Sequence, residues 1–459
     1  MTCAFLAGCT VGPNYKRPNT DVPTAYRTLE APPSAGAPGL AATSIGDEKW
    51  WDVFQDQELQ KLIRTALQQN YDVRIAASRV LQAQAQVGLA RANQLPNVNV
   101  TGTGTGLHNP AEGPIPSYTF EYGHVGLNAA WDLDFWGKYR RGTEEARAQL
   151  LAADWAKQEV IASLVANVAT GYFQLRELDL ELDISKRALA SRNESLDLTK
   201  TLEEHGINSI LDVRQAEQLV YTAAADIADL DRRIAQQEDA LSILLGNNPG
   251  GIARGKALVD QPHAPQVPAG LPSALLERRP DIRQAEGLLV AANAQIGVAR
   301  AAYFPDFALT GQPGFLSSSF TNLFSGSAGA WNFAGTITQP IFEGGALKSN
   351  MRLAQAQEQQ ALLTYQQTIQ GAFRDVSDSL IAYQKYQEFR AQEELLDRAA
   401  EDSAQLSGKR YEAGTTNYLE VLTNETNYLS AEIGLAQAHL NELLALVQIY
   451  KALGGGWQQ

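Results

Sequence analysis

The chain carries one pattern twice. Residues 67–96 overlay residues 276–305 at a constant offset of 209 without a gap, and twelve of the thirty positions are identical. Among the identities are Asp72 and Asp281, Arg74 and Arg283, Gly88 and Gly297, and Pro96 and Pro305. The match resumes at an offset of 208, pairing Gly206 with Gly414, Leu211 with Leu419, Val213 with Val421 and Glu217 with Glu425. Solenoid units are far shorter, about 20 to 50 residues. The pattern is therefore a duplicated domain half, and whatever one half builds is built again around a pseudo-symmetry axis.

Most of each half reads as helix. No proline occurs between Pro116 and Pro249 or after Pro340, and both stretches are rich in Ala, Leu, Gln and Glu, which are strong helix formers. Apolar residues recur three and four apart, as in Ile161, Leu164, Val165, Val168, Tyr172 and Leu175. That spacing lays one apolar stripe along a helix. From about Tyr139 to Glu204 the pattern runs without a proline for some 65 residues. A helix of that length spans on the order of 100 Å, which implies an extended bundle or coiled coil.

The long helices stop at matched turns, His205-Gly206-Ile207-Asn208-Ser209 and Ala413-Gly414-Thr415-Thr416-Asn417. Glycine suits the left-handed residue that ends a helix. Ser209 or Asn417 then N-caps the next helix, and Asp212 or Glu420 is placed to complete a capping box. Each half is thus expected to hold a helical hairpin with a tight tip.

Between the helices lie segments of period two. Val125, Leu127, Ala129, Trp131, Leu133 and Phe135 alternate with Gly126, Asn128, Ala130, Asp132 and Asp134, and Val98 and Val100 alternate with Asn and Thr. The second half repeats the pattern at Phe307 and Leu309 and from Trp331 to Ile337. One apolar face, one small or polar face, a length of 9 to 11 residues and aromatic ends fit an outer-membrane β-barrel. An amphipathic hairpin resting on a soluble core is the plainer alternative. Two strands per half make four per chain, and four strands cannot close when the smallest membrane barrels need about eight. An open edge cannot face lipid, because its amides would be unpaired. The chain is therefore expected to form an oligomer that shares one barrel.

Composition narrows the function. The net charge of −14 argues against nucleic acid, which needs a clustered basic face. No run of about 18 apolar residues is present. No Gly-rich phosphate loop, nucleophile elbow or His/Cys cluster suggests an enzyme, a cofactor or a metal site. Both cysteines, Cys3 and Cys9, lie in the first nine residues. Leu6-Ala7-Gly8-Cys9 has the form of a lipoprotein signal cut before an acylated cysteine, although only eight residues precede Cys9 and no basic segment leads it. A chance tetrapeptide is the alternative. The chain is expected to divide into a truncated signal at 1–9, an extended Pro-rich arm at 10–56, a first repeat at 57–246, a Pro/Gly-rich linker at 247–272 and a second repeat at 273–459.

Several stretches in this order, namely the lipobox, Val11-Gly12-Pro13-Asn14-Tyr15-Lys16-Arg17-Pro18, Trp131-Asp132-Leu133-Asp134-Phe135-Trp136-Gly137, Leu276-Glu277-Arg278-Arg279-Pro280-Asp281-Ile282, Pro340-Ile341-Phe342-Glu343-Gly344-Gly345 and Tyr411-Glu412-Ala413-Gly414, together resemble TolC-like outer membrane factors. The likeness is greatest to the NodT-type lipoproteins that serve resistance-nodulation-division pumps, and it covers essentially the whole chain. It implies a mostly α fold with membrane β: long helical hairpins forming a periplasmic α-barrel, and four strands per chain in a shared trimeric β-barrel. It also implies a homotrimer in outer-membrane lipid, a periplasmic adaptor protein and an inner-membrane pump. The chain would be a passive, gated exit duct for drugs, small amphiphiles or metal ions. The outer-membrane duct of a type I protein secretion system is the alternative within this class.

By motif position, Glu420 matches a carboxylate of the family's periplasmic constriction and Tyr411 a tyrosine of its closure network, with Asp212 the first-repeat counterpart of Glu420. Thr423 and Thr416 stand where some members carry an acidic residue and an arginine. Helix capping alone is the bland reading of Asp212 and Glu420. Gly206, Leu211, Gly414 and Leu419 are candidates for adaptor docking, unless they serve only turn geometry and hairpin core. Trp131, Phe135 and Trp331 are candidates for an interfacial aromatic girdle, and Trp136 equally suits a strand-to-helix junction. Cys9 is the candidate lipidation site.

Overall fold

The computed structural model describes residues 10–27, 44–207, 209–262, 270 and 272–457. The duplication reappears as equal element lengths. Helices α3 (Tyr71–Ala92) and α7 (Pro280–Ala301) each have 22 residues. Helices α4 (Lys138–Glu204) and α8 (Ala346–Glu412) each have 67, and α5 (Ile210–Leu244) and α9 (Tyr418–Ala452) each have 35. Short helices α1 (Trp50–Val53), α2 (Gln57–Gln69) and α6 (Pro272–Arg278) complete the α-helices of the described residues. The chain divides into two compact units.

The first unit comprises Met1–Thr20, Ser78–Asp154 and Gln284–Gln367. It holds one antiparallel sheet built from β1 (Asn97–Asn109), β2 (Tyr118–Leu133), β3 (Asp306–Gly311), β4 (Gly314–Ser317), β5 (Gly329–Ala330) and β6 (Phe333–Thr338). Strand β2 pairs β1 on one side and both β3 and β4 on the other. Strand β3 pairs β6, and β4 pairs β5. Across each break the register holds: Gly311 faces Ala129 and Gly314 faces Gly126, so Gln312-Pro313 only interrupts one long strand. Pro313 has no amide to donate, but its carbonyl accepts from Leu127 N at 2.9 Å. Four composite strands result, as the alternation implied. Their lengths depart from the expected 9 to 11 residues, since β1 has 13 and β2 has 16, while the second hairpin is interrupted at Gln312-Pro313 and Trp331-Asn332.

The helices beside this sheet approach closely through small residues. A side chain on Gly287 of α7 would fall 3.1 Å from Ala152 Cβ of α4. Residues 10–17 also lie here. Val11 N donates to Trp136 O at 3.0 Å, and the buried Arg141 donates to Val11 O, Gly12 O and, at 2.8 Å, Asn14 Oδ1. Gly12, at φ +101°, sits so near Gly297 that a Cβ would come within 2.6 Å of its Cα. The duplicated Gly297 thus serves backbone contact.

The second unit comprises Asp21–Ala77, Trp155–Arg283 and Thr368–Gln459. Its core includes Leu59, Ile63, Tyr172, Leu175, Leu258, Leu275 and Ile449, all within 1 % of full burial. Asp56 organises this core. Its side chain N-caps α2 and accepts from Tyr172 Oη, Lys256 N and Gln261 Nε2, each at 2.9 Å. Burial opposes its charge, but bonds from Gln261, Tyr172 and two backbone amides hold its carboxyl below the ordinary value. Residues 247–262 therefore do more than link: Gly255 is pressed so close to Asp56 that a Cβ would fall 2.2 Å from its Oδ1. The arm expected at 10–56 likewise ends in structure, a 3₁₀ turn at Ile45–Asp47 and then α1. In the Arg278-Arg279-Pro280-Asp281 stretch, Arg279 bonds both oxygens of Asp281 and donates to Ala452 O at 3.1 Å, and Arg278 pairs with Asp47 at 2.6 Å.

Candidate functional site

The wall of the sheet is the first candidate. Directly opposed residues of an antiparallel sheet share a face. Val98 and Val100 stand opposite Ala129 and Leu127, Trp131 opposite Leu309, and Leu133 opposite Phe307. Phe333 and Ile337 stand on the same face from β6. This face is bare: Val100, Trp331, Phe333 and Ile337 are each at least 66 % exposed. The other face carries Asn97, Asn99, Thr101, Asn128, Asp132, Thr310 and Thr336. Strands β1 and β6 each pair on one side only among the described residues.

The aromatic candidates do not form one belt. Trp131 lies opposite Leu309, which lies opposite Gly335, and Trp331 is four residues before Gly335 along the strand. That displacement is about 13 Å at about 3.3 Å per residue. Trp131 donates Nε1 to Gln94 O at 3.1 Å, and Phe135 meets Phe307 edge-on at 4.8 Å, both at the helical end of β2. Trp331 instead sits mid-strand beside Phe333, with ring centroids 5.8 Å apart. Period-two alternation assigns a face but not a height, so only the register reveals this. Trp136 stacks on Phe304 at 4.7 Å and donates to Pro305 O, which places it at the strand-to-helix junction.

The hairpin tips are the second candidate. Both end the long helix by the same backbone device: Gly206 N donates to Glu203 O and Ile207 N to Leu202 O, as Gly414 N does to Tyr411 O and Thr415 N to Arg410 O. This is the six-to-one closure that requires a left-handed residue, and the two glycines have φ +73° and +70°. Leu211 and Leu419 are 61 % and 56 % exposed, so they are not hairpin core.

The two tip carboxylates differ in use. Asp212 accepts from Ser209 N and Oγ at 3.0 Å and completes a capping box. Glu420 was expected to do the same and does not. Asn417 Oδ1 accepts from its backbone N at 3.1 Å, but its carboxylate accepts from Arg410 Nη1 at 2.7 Å and from the Thr416 hydroxyl. A guanidinium within reach outcompetes a neutral amide as donor. Arg410 escaped the sequence reading because it lies ten residues before Glu420, and only the fold of the turn brings them together. Tyr411 packs its ring 5.5 Å from Tyr418, over a cluster formed by Leu196, Val213, Ala216 and Val421.

Cys9 lies outside the described residues. Its neighbour Thr10 touches Gly137, where a Cβ would come within 2.8 Å of Thr10 Cγ2. Among the described residues no group of three His, Cys, Asp or Glu side chains is placed to hold a metal ion, and no helix is long and apolar enough to cross a membrane.

Comparison with known proteins agrees with this architecture. Residues 62–247 and 271–455 both match the family model described as outer membrane efflux protein. The chain is 36 % identical over 465 residues to the probable efflux pump outer membrane protein TtgC of Pseudomonas putida, covering 100 % of this chain and 95 % of that one. It is 33 % identical over 454 residues to the cation efflux system protein CusC of Escherichia coli K12, covering 98 % and 97 %. The outer-membrane channel OprN superposes with a TM-score of 0.89 at 32 % identity, covering 98 % of this chain and 100 % of that one. The open-state MtrE channel of Neisseria gonorrhoeae gives 0.87 at 32 %, covering 98 % and 99 %. By sequence match along both repeats and by fold, this chain belongs to the outer membrane efflux protein family of TolC-like channels.

Proposed function

We propose that this chain is the exit duct of a tripartite efflux system: a lipid-anchored homotrimer in the outer membrane that passively conducts drugs, small amphiphiles or metal ions. A periplasmic adaptor and an inner-membrane resistance-nodulation-division pump deliver the cargo and supply the energy, and the chain does no catalytic chemistry. The observation that carries this is the sheet, with one apolar face bare and both edges open among the described residues. Lipid forbids open edges, and three copies join twelve strands into one closed wall. The cargo classes follow the relatives, whose names specify pumps for toluene and for cations. Protein secretion is not favoured, because these relatives belong to drug, solvent and cation efflux.

Lipidation at Cys9 is supported by the place of Thr10, against Gly137 just beyond the aromatic end of β2. An acyl chain on the preceding residue would start at the edge of the apolar wall. The exposed Leu211 and Leu419 beside Gly206 and Gly414 suit docking of the adaptor. Asp212 serves as a cap, which leaves Glu420, held by Arg410, and Tyr411 as the gate residues. Three copies of Glu420 around one axis form the acidic ring.

Planar bilayers test this. The purified protein is expected to give steady conductance blocked by multivalent cations. Glu420→Ala weakens the block and Arg410→Ala, by freeing the carboxylate, strengthens it. A protein that never conducts removes the duct reading, and unchanged block in both variants reduces Glu420 to a structural role.

A further inference from the structure

The outer end of the first hairpin reverses the pattern of the wall. From the level of Val125 to that of Leu133, nine residues of β2, the large apolar side chains stand on the lipid-side face. At about 3.3 Å per residue and a tilt of about 35–45°, this band is roughly 19–22 Å high, close to the height of about 25 Å expected of the apolar belt of a membrane barrel. Strands β1 and β2 continue past it in unbroken register through seven further pairs, from Thr103 and His124 to Asn109 and Tyr118. Without a bulge, alternation fixes the face of every further side chain. On the lipid side these are Gly104, Gly106, His108, Thr119 and Glu121, which suit no lipid. On the lumen side stand Tyr118, Tyr122 and the directly opposed pair Leu107 and Phe120, interspersed with Thr103, His124, Thr105 and Asn109.

These side chains are bare. Phe120 is 54 % and Leu107 49 % exposed, and the Phe120 and Tyr122 rings are 5.3 Å apart. The outward face at the neighbouring level is covered by the chain itself. Leu323, 3 % exposed, sits against the place where a side chain on Gly123 would be, and Phe324 meets Phe315 edge-on at 5.7 Å. Above Gly123 the hairpin has no strand from β4 beside it. The partner available to its inward apolar face is the same face of the other two copies.

We infer that Leu107, Phe120 and Tyr122 of three copies form a hydrophobic collar at the extracellular mouth of the duct, above the lipid band. Aromatic and amphiphilic cargo leaves along the rings, while bulky hydrophilic solutes are refused entry from outside. An apolar constriction of this kind resists flooding by water and hydrated solutes yet yields to apolar ones. The inference rests on the barrel reading above and adds a second selective point, built by the sheet rather than by the hairpin tips.

Cysteine labelling of intact cells tests it, with the unsubstituted protein as blank and the trimer band on unheated gels as the folding check. Glu121→Cys, on the outward face, is expected to react with membrane-impermeant maleimides both small and polymer-linked. Phe120→Cys reacts with the small reagent but about tenfold more slowly with the polymer, because the collar excludes it. Asn128→Cys, deeper on the lumen face, is shielded from the polymer, and adding Phe120→Ser with Tyr122→Ser raises its rate about tenfold, whereas Phe120→Leu leaves it shielded. Equal polymer rates at positions 120 and 121, or no acceleration at 128, overturn the collar. Failure of Glu121→Cys to react at all means that the hairpin is not at the cell surface, which sinks the barrel reading instead.

Discussion

Glu177 is a carboxyl that the fold keeps protonated. It lies on α4, 4 % exposed, and its Oε1 has no hydrogen-bond partner. Burial, then a hydrogen bond and repulsion from Glu181, push it up to about 8 despite the nearby Arg233, which itself pairs with Glu181 at 3.2 Å. A carboxyl raised in the folded state favours folding while the unfolded chain also holds its proton. That contribution is complete below the ordinary value of 4.5 and is lost as pH rises through about 8. The effect is on the order of a few kcal/mol. The midpoint of heat dissociation is therefore expected to fall between about pH 5 and about pH 9, and Glu177→Gln flattens that fall and is the more stable form at alkaline pH. Identical pH curves for the two proteins would contradict the protonated state. Asp56 is the contrasting case, because five donors hold it charged in a buried core.

Elements show what the duplication conserves and what it releases. The three longest helices of each half keep their lengths residue for residue, because helix length sets where each hairpin turns, whereas α2 has 13 residues and α6 only 7. The hairpins of the sheet do not, since Pro313 and the Trp331-Asn332 step divide the second one. At the same level the strands come close enough to need glycine on both sides. A Cβ on Gly126 would lie 2.8 Å from Pro313 O and 3.0 Å from Gly314 Cα. Gly126→Val is expected to force β2 away from β4 and to lower the yield of assembled trimer on unheated gels several-fold, whereas Gly104→Val, with open space around its Cβ, leaves assembly unchanged. Equal yields would mean that the strands separate without consequence.

At the scale of the molecule, the four composite strands of the described residues are too few to enclose anything, and their two open edges make the monomer an incomplete object. The detergent-extracted protein is expected to sediment with the mass of three chains and to release none of them without denaturation. A stable water-soluble monomer would contradict a shared barrel.

Local chemistry alone determined the helices, their turns and the number of strands. Periodicity, proline placement and the pairing of Gly206 with Gly414 act within a few residues, and a duplicated stretch repeats them. Tertiary structure decided what depends on distance across the chain. It set Trp331 apart in height from Trp131, because strand register is fixed by the neighbouring strand. It turned Glu420 from its cap to Arg410, because a hairpin brings together residues ten apart in sequence. It gathered Asp56, Tyr172 and Gln261, which no spacing rule connects, because burying one carboxylate requires donors from wherever the chain can supply them.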